Sequence, residues 1–434
     1  MSFAEPVRLL CTADLHLGRY PSRIPIGKSE LSVRCVWERM VEYAIHQRID
    51  ALVLAGDSVD QDNQFFESYG ALERGLRRLA EADIHTYAVA GNHDYDVLPR
   101  LHQVLNPEFF HFLGRDGRWE KAVLTRDGEP VLGFLGWSFT SRTQRISPLD
   151  YVPEPRSDVP VIGLVHGDLN AKSSVYAPLL ESDLKRVPVA SWIMGHIHLT
   201  SQIDHREGFI LYPGSPQPLD PGEAGDHGPY VVDVHPDGRV EMQQVVLASV
   251  KYATCDVDLG DVDGPEAFEG LVLEAVREGC RREVNAHDGL RHVVYRPRYV
   301  GRTAVEREIE RLHAHAQANL EISVGEASAT IDSFTAATSP AVDMDKISES
   351  GGPLSELAQM MLLLEKGEID GELRLLVRDI MTSLERVARS SAYSALREHE
   401  YADESEETNV TMILRRQGML LLDELMSQTR DGVS

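Results

Sequence analysis

Five short segments constrain this chain more than anything else in it. Each opens with an apolar run and closes on carboxylate, amide or imidazole residues. Residues 7–11 lead into Asp14-Leu15-His16, residues 51–55 into Gly56-Asp57-Ser58-Val59-Asp60, and residues 84–90 into Gly91-Asn92-His93-Asp94. Residues 161–165 lead into His166-Gly167, and residues 192–194 into Gly195-His196-Ile197-His198. Short apolar runs bounded by glycine read as buried strands. Helical spacing lies between them, in Val36, Met40, Val41 and Ala44, and again in Leu72, Leu76 and Leu79. Strands alternating with helices predict an α/β layered domain. All five polar segments then fall at the C-terminal ends of strands, where such sheets place their sites.

One chemistry would use all five. Hydrolysis of a phosphoester needs a strong nucleophile, charge neutralisation and a proton for the leaving oxygen. Two divalent ions about 3.5–4 Å apart meet the first two needs. One carboxylate must bridge such ions, and Asp57, behind a glycine at the end of the second strand, is the expected bridge. Asp14, His16 and His198 would complete one ion, and Asn92, His166 and His196 the other. Imidazole, carboxylate and amide oxygen together suit manganese, iron or zinc better than magnesium alone. His196 and His198 are two apart, so on an extended segment both point to one side. His93 follows a ligand without being needed as one, which suits it to protonating a leaving group. Taken singly, the first three segments read as turn or cap chemistry and His166 as a satisfied, partly buried histidine; the Gly-His-X-His pair is the stronger metal signal. The metal reading rests on all of them occurring together.

These residues resemble the calcineurin-like metallophosphoesterases, and within them the SbcD-type DNA exonuclease subunits. The narrower likeness is carried by Asp14-Leu15-His16-Leu17-Gly18, by residues 88–94 (AVAGNHD), and by residues 212–219 (YPGSPQPL). Residues 299–303 also resemble the start of that family's capping-domain helix. The likeness spans about residues 6–220 and weakens towards 315. It implies a layered β-sandwich flanked by helices, with a small α/β capping domain and a C-terminal helical tail. It implies seven ligands (Asp14, His16, Asp57, Asn92, His166, His196 and His198) for two divalent ions, manganese before magnesium, iron or zinc. It places His93 at the catalytic position, with Asp57, Asp60 and Asp94 beside it. The activity implied is exonuclease and endonuclease cleavage of DNA in repair or defence. The partners implied are a second copy of the chain and an SbcC-type, SMC-like coiled-coil ATPase. The chain departs from the pattern at Asp60, where some of these nucleases carry a second active-site histidine. Asp60 is expected to orient a metal ligand instead. A small-molecule phosphodiesterase or nucleotide hydrolase would use the same ligands, and a non-catalytic scaffold would be expected to have lost one.

At 434 residues the chain calls for two or three domains. The expected division is a nuclease domain over 1–245, a cap over 246–320, a linker over 321–352 and a helical partner-docking region over 353–434. Strands are expected over 245–257 and 293–300, and helices over 265–282 and 302–316. The linker is rich in Ser, Ala, Thr and Gly without clear periodicity. Helical stripes follow over 354–366, over 373–387 and over 409–427, with an acidic run at 403–407. No Gly-rich phosphate loop ending in Lys-Ser/Thr is present. ATPase activity would therefore come from another chain. The net charge is −26, whereas a chain that grips DNA unaided is normally basic. Residues 321–434 hold 22 acidic and 10 basic residues, so much of the excess lies away from the five segments. Cys11, Cys35, Cys255 and Cys280 have neither zinc nor disulfide spacing. No apolar run approaches a membrane span, and residues 1–10 lack signal-peptide character, so a cytoplasmic location is expected.

Overall fold

The computed structural model describes residues 5–388 and 407–431, apart from 26, 61–64, 156, 172, 207, 261, 263, 321 and 342–343. The chain divides into two compact units. One comprises Met1–Asp256, Val272–Arg298 and Ala314–Thr335; the other comprises Val257–Leu271, Tyr299–His313 and Ala336–Ser434.

Two six-stranded sheets form the body of the first unit. One contains β1 (Val7–Thr12), β2 (Ala51–Ala55), β3 (His85–Val89) and β4 (Phe110–Phe112). The other contains β5 (Glu120–Arg126), β6 (Glu129–Trp137), β7 (Val161–His166), β8 (Ser191–Gly195), β9 (Ser201–His205) and β10 (Gly208–Tyr212). The first sheet is completed by β11 (Tyr230–Val234) and β12 (Val240–Gln244) in the order β12-β11-β1-β2-β3-β4; the second runs β5-β6-β7-β8-β10-β9. Strands β1 to β4 pair in parallel, as do β6, β7, β8 and β10. The ligand-bearing strand ends of each sheet therefore point one way.

Alternate residues along these strands face two different cores. Leu9, Cys11, Val53 and Tyr87 join Phe134, Ile162, Leu164 and Ile193 between the sheets. Leu10, Leu52, Leu54 and Ala88 are covered by helices α1 (Val33–His46) and α2 (Phe65–Glu81), through Val36, Trp37, Met40, Leu72, Leu76 and Leu79. On the outer face of the second sheet, Trp137, Val165, Met194 and Ile210 pack with Leu179 and Leu184. Burial on both faces is why these strands read as unbroken apolar runs rather than alternating ones. Short helices α3 (Leu98–Val104) and α4 (Glu181–Leu184) complete this part.

A third sheet follows, built from β13 (Val250–Asp258), β14 (His292–Thr303), β15 (Ile322–Val324), β16 (Ala327–Ile331) and β17 (Thr335–Pro340). Helices α5 (Pro265–Ala286) and α6 (Ile309–Asn319) are interleaved with it. Three sequence expectations need correction here. The strand expected from 245 begins only at Val250. Residues 299–303 close β14 instead of opening a helix, and α6 starts at Ile309. The stretch read as a linker carries β15, β16 and β17, then the short helix α7 (Met344–Ser348). Its small residues hid a two-residue period: Ala327, Ala329 and Ile331 are buried while Ser328 and Thr330 are half-exposed. Its partner strand supplies the rest, because β16 pairs in parallel with residues 292–295 of β14.

The tail forms α8 (Pro353–Lys366), α9 (Gly371–Ala388) and α10 (Glu407–Asp431). Met361, Leu364 and Leu373 are its buried centre, with Leu414 and Met419 packed on them. Leu421, expected on the buried stripe of the last helix, is 51% exposed. Residues 403–406 of the acidic run lie outside the described residues, and Glu407 opens α10. No helix among the described residues is long and apolar enough to cross a membrane.

Candidate metal centre

The loops after β1, β2, β3, β7 and β8 meet at one place, and backbone hydrogen bonds lace the first two together. Asp14 N donates to Gly56 O (3.0 Å), His16 N to Asp57 O (2.9 Å) and Leu17 N to Ser58 O (3.0 Å). Asp14, His16, Asp57 and His196 all adopt positive φ, at 51°, 47°, 51° and 103°. Non-glycine residues rarely accept that region, and such strain gathers at functional sites. The motif glycines answer a different need. A Cβ on Gly91 would stand 2.2 Å from Asp57 Oδ1, and one on Gly195 2.1 Å from Ala55 O.

The polar atoms converge in a way that calls for a cation. His166 Nδ1 lies 3.0 Å from Ala55 O, which can only accept, so the ring donates there and, when neutral, presents a lone pair at Nε2. That Nε2 faces Asn92 Oδ1 at 3.2 Å and Asp57 Oδ2 at 3.3 Å. His198 Nδ1 lies 2.8 Å from Glu223 Oε1, which likewise turns its lone pair to Nε2. Nε2 of His198 and Nε2 of His16 are 3.1 Å apart. Two nitrogens bound about 2.1 Å from one ion at near-right angles stand about 3 Å apart. Ligand atoms of Asp14, His16 and His198 cluster within 4.8 Å, and so do those of Asp57, His166 and His196. Asp57 also lies 3.8 Å from His16, so its carboxylate stands between the two groups, as a bridge must.

Charge tells the same story. Burial lifts the Asp14 carboxyl to about 6 and holds the His16 imidazole down at about 3. Burial also opposes ionisation of Asp57, but His166 and His16 outweigh it and keep the carboxylate charged. His166 rises to about 9 against its own burial, because Asp57 and Asp14 demand positive charge beside them. A divalent ion meets that demand without a proton. The donor set therefore fits two such ions.

His93 lies beside the ligands, with a ring nitrogen within 4.8 Å of ligand atoms of both His16 and Asp57. Its ring meets that of His16 edge-on at 4.9 Å, and its backbone N donates to Asp57 Oδ1 at 2.8 Å. Its Nδ1 lies 3.8 Å from Asp60 Oδ1, and Asp60 raises its pKa above the ordinary value despite burial. Asp60 was expected to steady a metal ligand; its carboxylate faces His93 and Arg19. Asp94 is fully buried and serves the backbone. It accepts from Ser58 N (2.7 Å) and Gly91 N (2.8 Å), pinning the second and third loops together, and burial raises its carboxyl to about 7.

Two acidic residues escaped the sequence reading. Glu223 fixes His198, and its Oε2 accepts from Ser215 Oγ (2.8 Å) and Leu219 N (2.9 Å). Asp168 Oδ1 lies 3.3 Å from His196 Nε2, which leaves Nδ1 of that ring for an ion. Asp168 directly follows His166-Gly167, and Glu223 lies four residues past residues 212–219, so proximity to motifs was the available signal.

Residues 7–199 match the model for calcineurin-like phosphoesterases. The chain carries a calcineurin-like phosphoesterase domain. Among curated proteins, the chain is 28% identical to the uncharacterized metallophosphoesterase YhaO of Bacillus subtilis, over 60% of this chain and 65% of that protein. It is 27% identical to the DNA double-strand break repair protein Mre11 of Methanopyrus kandleri, over 65% of each. The match thus spans just under two thirds of the length of both relatives. Among solved structures, a dimetal phosphatase from Danio rerio aligns with a TM-score of 0.35 at 14% identity, over 55% of this chain and 96% of that one.

Proposed function

We propose that this chain is a metal-dependent phosphodiesterase that cleaves DNA. The reading is carried by the convergence of Asn92 Oδ1 and Asp57 Oδ2 on His166 Nε2, at 3.2 and 3.3 Å, where a cation can take the place of the proton that the carboxylates otherwise hold on the ring. Divalent ions held there would supply a water acidic enough to attack phosphorus and would neutralise phosphate charge. Asp14, His16 and His198 would hold one ion, Asn92, His166 and His196 the other, and Asp57 both. His93, with Nδ1 turned to Asp60, has Nε2 left to protonate the departing sugar oxygen. The mixed ligand set favours manganese.

DNA as substrate is supported by a relative that is a DNA double-strand break repair protein and by the likeness of residues 212–219 to exonuclease subunits. The wider resemblance to SbcD-type subunits supports a nuclease domain over 1–245, a cap over 246–320 and a docking region over 353–434. It also supports a homodimer and an SbcC-type coiled-coil ATPase partner; a cytoplasmic location is proposed as the default. A net charge of −26 fits a subunit that takes part of its grip on DNA from a partner.

The test is manganese-dependent release of label from end-labelled single- and double-stranded DNA, with a simple phosphodiester run in parallel. His93→Ala should lose activity by at least about 100-fold while titration calorimetry still shows manganese bound. Loss of the metal together with activity would remove His93 from the acid role. Hydrolysis of the simple ester alone by the wild type would move the substrate to small molecules.

A further inference from the structure

A cavity of about 260 Å³ opens beside the site. Leu17, Gly18 and Arg19, which follow the candidate ligand His16 in the chain, form part of its wall with Ser29, Ser32 and Ser68; Glu30 and the paired Arg34 and Glu38 line it too. Arg19 is the informative residue. Its Nε is 3.7 Å from Asp60 Oδ2 and its Nη2 is 3.7 Å from Asp220 Oδ2. Both are ion-pair distances too long for hydrogen bonds. Among the described residues the guanidinium donates no hydrogen bond, and the side chain is 32% exposed. Asp220 is 57% exposed, and ion pairs at such a surface hold little. Arg19 is thus a planar fork of five donors, loosely tethered in the wall of a cavity. The carboxylate that tethers it on one side is the one facing His93 on the other.

We propose that the Arg19 cavity is the subsite for the backbone phosphate next to the scissile one, on the leaving-group side. The proposal rests on the phosphodiesterase reading above and narrows its substrate to strands that carry consecutive phosphates. A guanidinium released from Asp220 can grip a phosphate with two charge-assisted hydrogen bonds. Asp60 keeps the fork close to His93, so a strand held by Arg19 presents its departing oxygen to that histidine.

The experiment compares an oligothymidylate with the p-nitrophenyl ester of thymidine 5′-monophosphate, which has one phosphodiester and no flanking phosphate. Wild type, Arg19→Ala and Arg19→Lys are assayed with manganese over a range of salt. In Arg19→Ala, kcat/KM on the oligonucleotide should fall by about 10–100-fold, chiefly through KM. That loss should exceed the loss on the ester at least tenfold, and Arg19→Lys should recover part of it. The slope of log KM against log salt should shrink by about 0.7, the value for one phosphate contact on a single strand. Equal losses on both substrates would overturn the subsite and make Arg19 a support of the Asp60 loop. A wild type that hydrolyses the ester and leaves the oligonucleotide intact would instead sink the DNA reading, and the subsite with it.

Discussion

Glu223 determines which nitrogen His198 offers. By accepting from Nδ1 at 2.8 Å it commits the ring to one tautomer, and Ser215 and the Leu219 amide hold its other oxygen in place. Asp168 makes the opposite choice for His196, engaging Nε2. Adjacent candidate ligands are thereby set to present different ring atoms, which lets two histidines only two residues apart serve different ions. Carboxylates behind ligating histidines typically tune metal affinity by about 10–100-fold. Glu223→Ala is therefore expected to weaken manganese binding within that range, and Glu223→Gln, which keeps an acceptor oxygen, to weaken it less. Calorimetric titration measures both; wild-type affinity in the alanine variant would make Glu223 a purely structural group. The five segments could be recognised as candidate ligands because each places its polar groups within a few residues of one strand. Glu223 had only its nearness to residues 212–219 to mark it, because the path of the chain brings it to His198, 25 positions away.

Among the elements, β14 and β16 show how a small-residue strand is held in register. His292 of β14 spans two residues of β16, with Nδ1 at 2.8 Å from Ser328 Oγ and Nε2 at 3.0 Å from Thr330 Oγ1. A neutral ring satisfies both hydroxyls, and burial, aided by Lys28, holds its pKa near 4. The folded state thus binds this proton less readily than the unfolded chain, whose histidine titrates near 6.5. The stabilisation is complete above pH 6.5 and is lost as pH falls towards 4, by about 3 kcal/mol over that window. Denaturant unfolding of wild type and His292→Gln across pH 4–7 should show the variant losing less stability as pH falls. Parallel pH profiles would show that His292 does not titrate as its burial implies. Helices α1, α2 and α8 were legible because apolar stripes at helical spacing mark a buried face on their own. Strand β16 was not, because alanine, serine and threonine carry little hydrophobic signal, and its order comes from the neighbour it pairs with.

In the whole molecule, folding and metal binding should be linked. The candidate ligands come from both sheets of the first unit and from residues 14 to 198, so an unfolded chain has no site. An ion that binds only the folded form at about 100 times its Kd adds about 2.7 kcal/mol of stability. Manganese added to chelator-treated protein should therefore raise the midpoint of thermal unfolding by several degrees. An unchanged midpoint would mean that the ions either fail to bind or bind the unfolded chain equally well.

The sequence by itself determined the strands that carry the candidate ligands, the two main helical stripes and which residues are candidates to hold metal. These are local facts: an apolar run needs burial on both faces, and a polar group just beyond it must emerge at the strand's end. Only the tertiary structure decided that the parallel strands within two mixed sheets aim those ends at one point, and that His16, Asp57 and His196 sit in strained backbone there. It alone brought Glu223, Asp168 and Arg19 to their partners. Such pairings depend on loop paths across the sheet ends, where geometry is set by long-range hydrogen bonds such as Asp14 N to Gly56 O, and no periodicity along the chain records them.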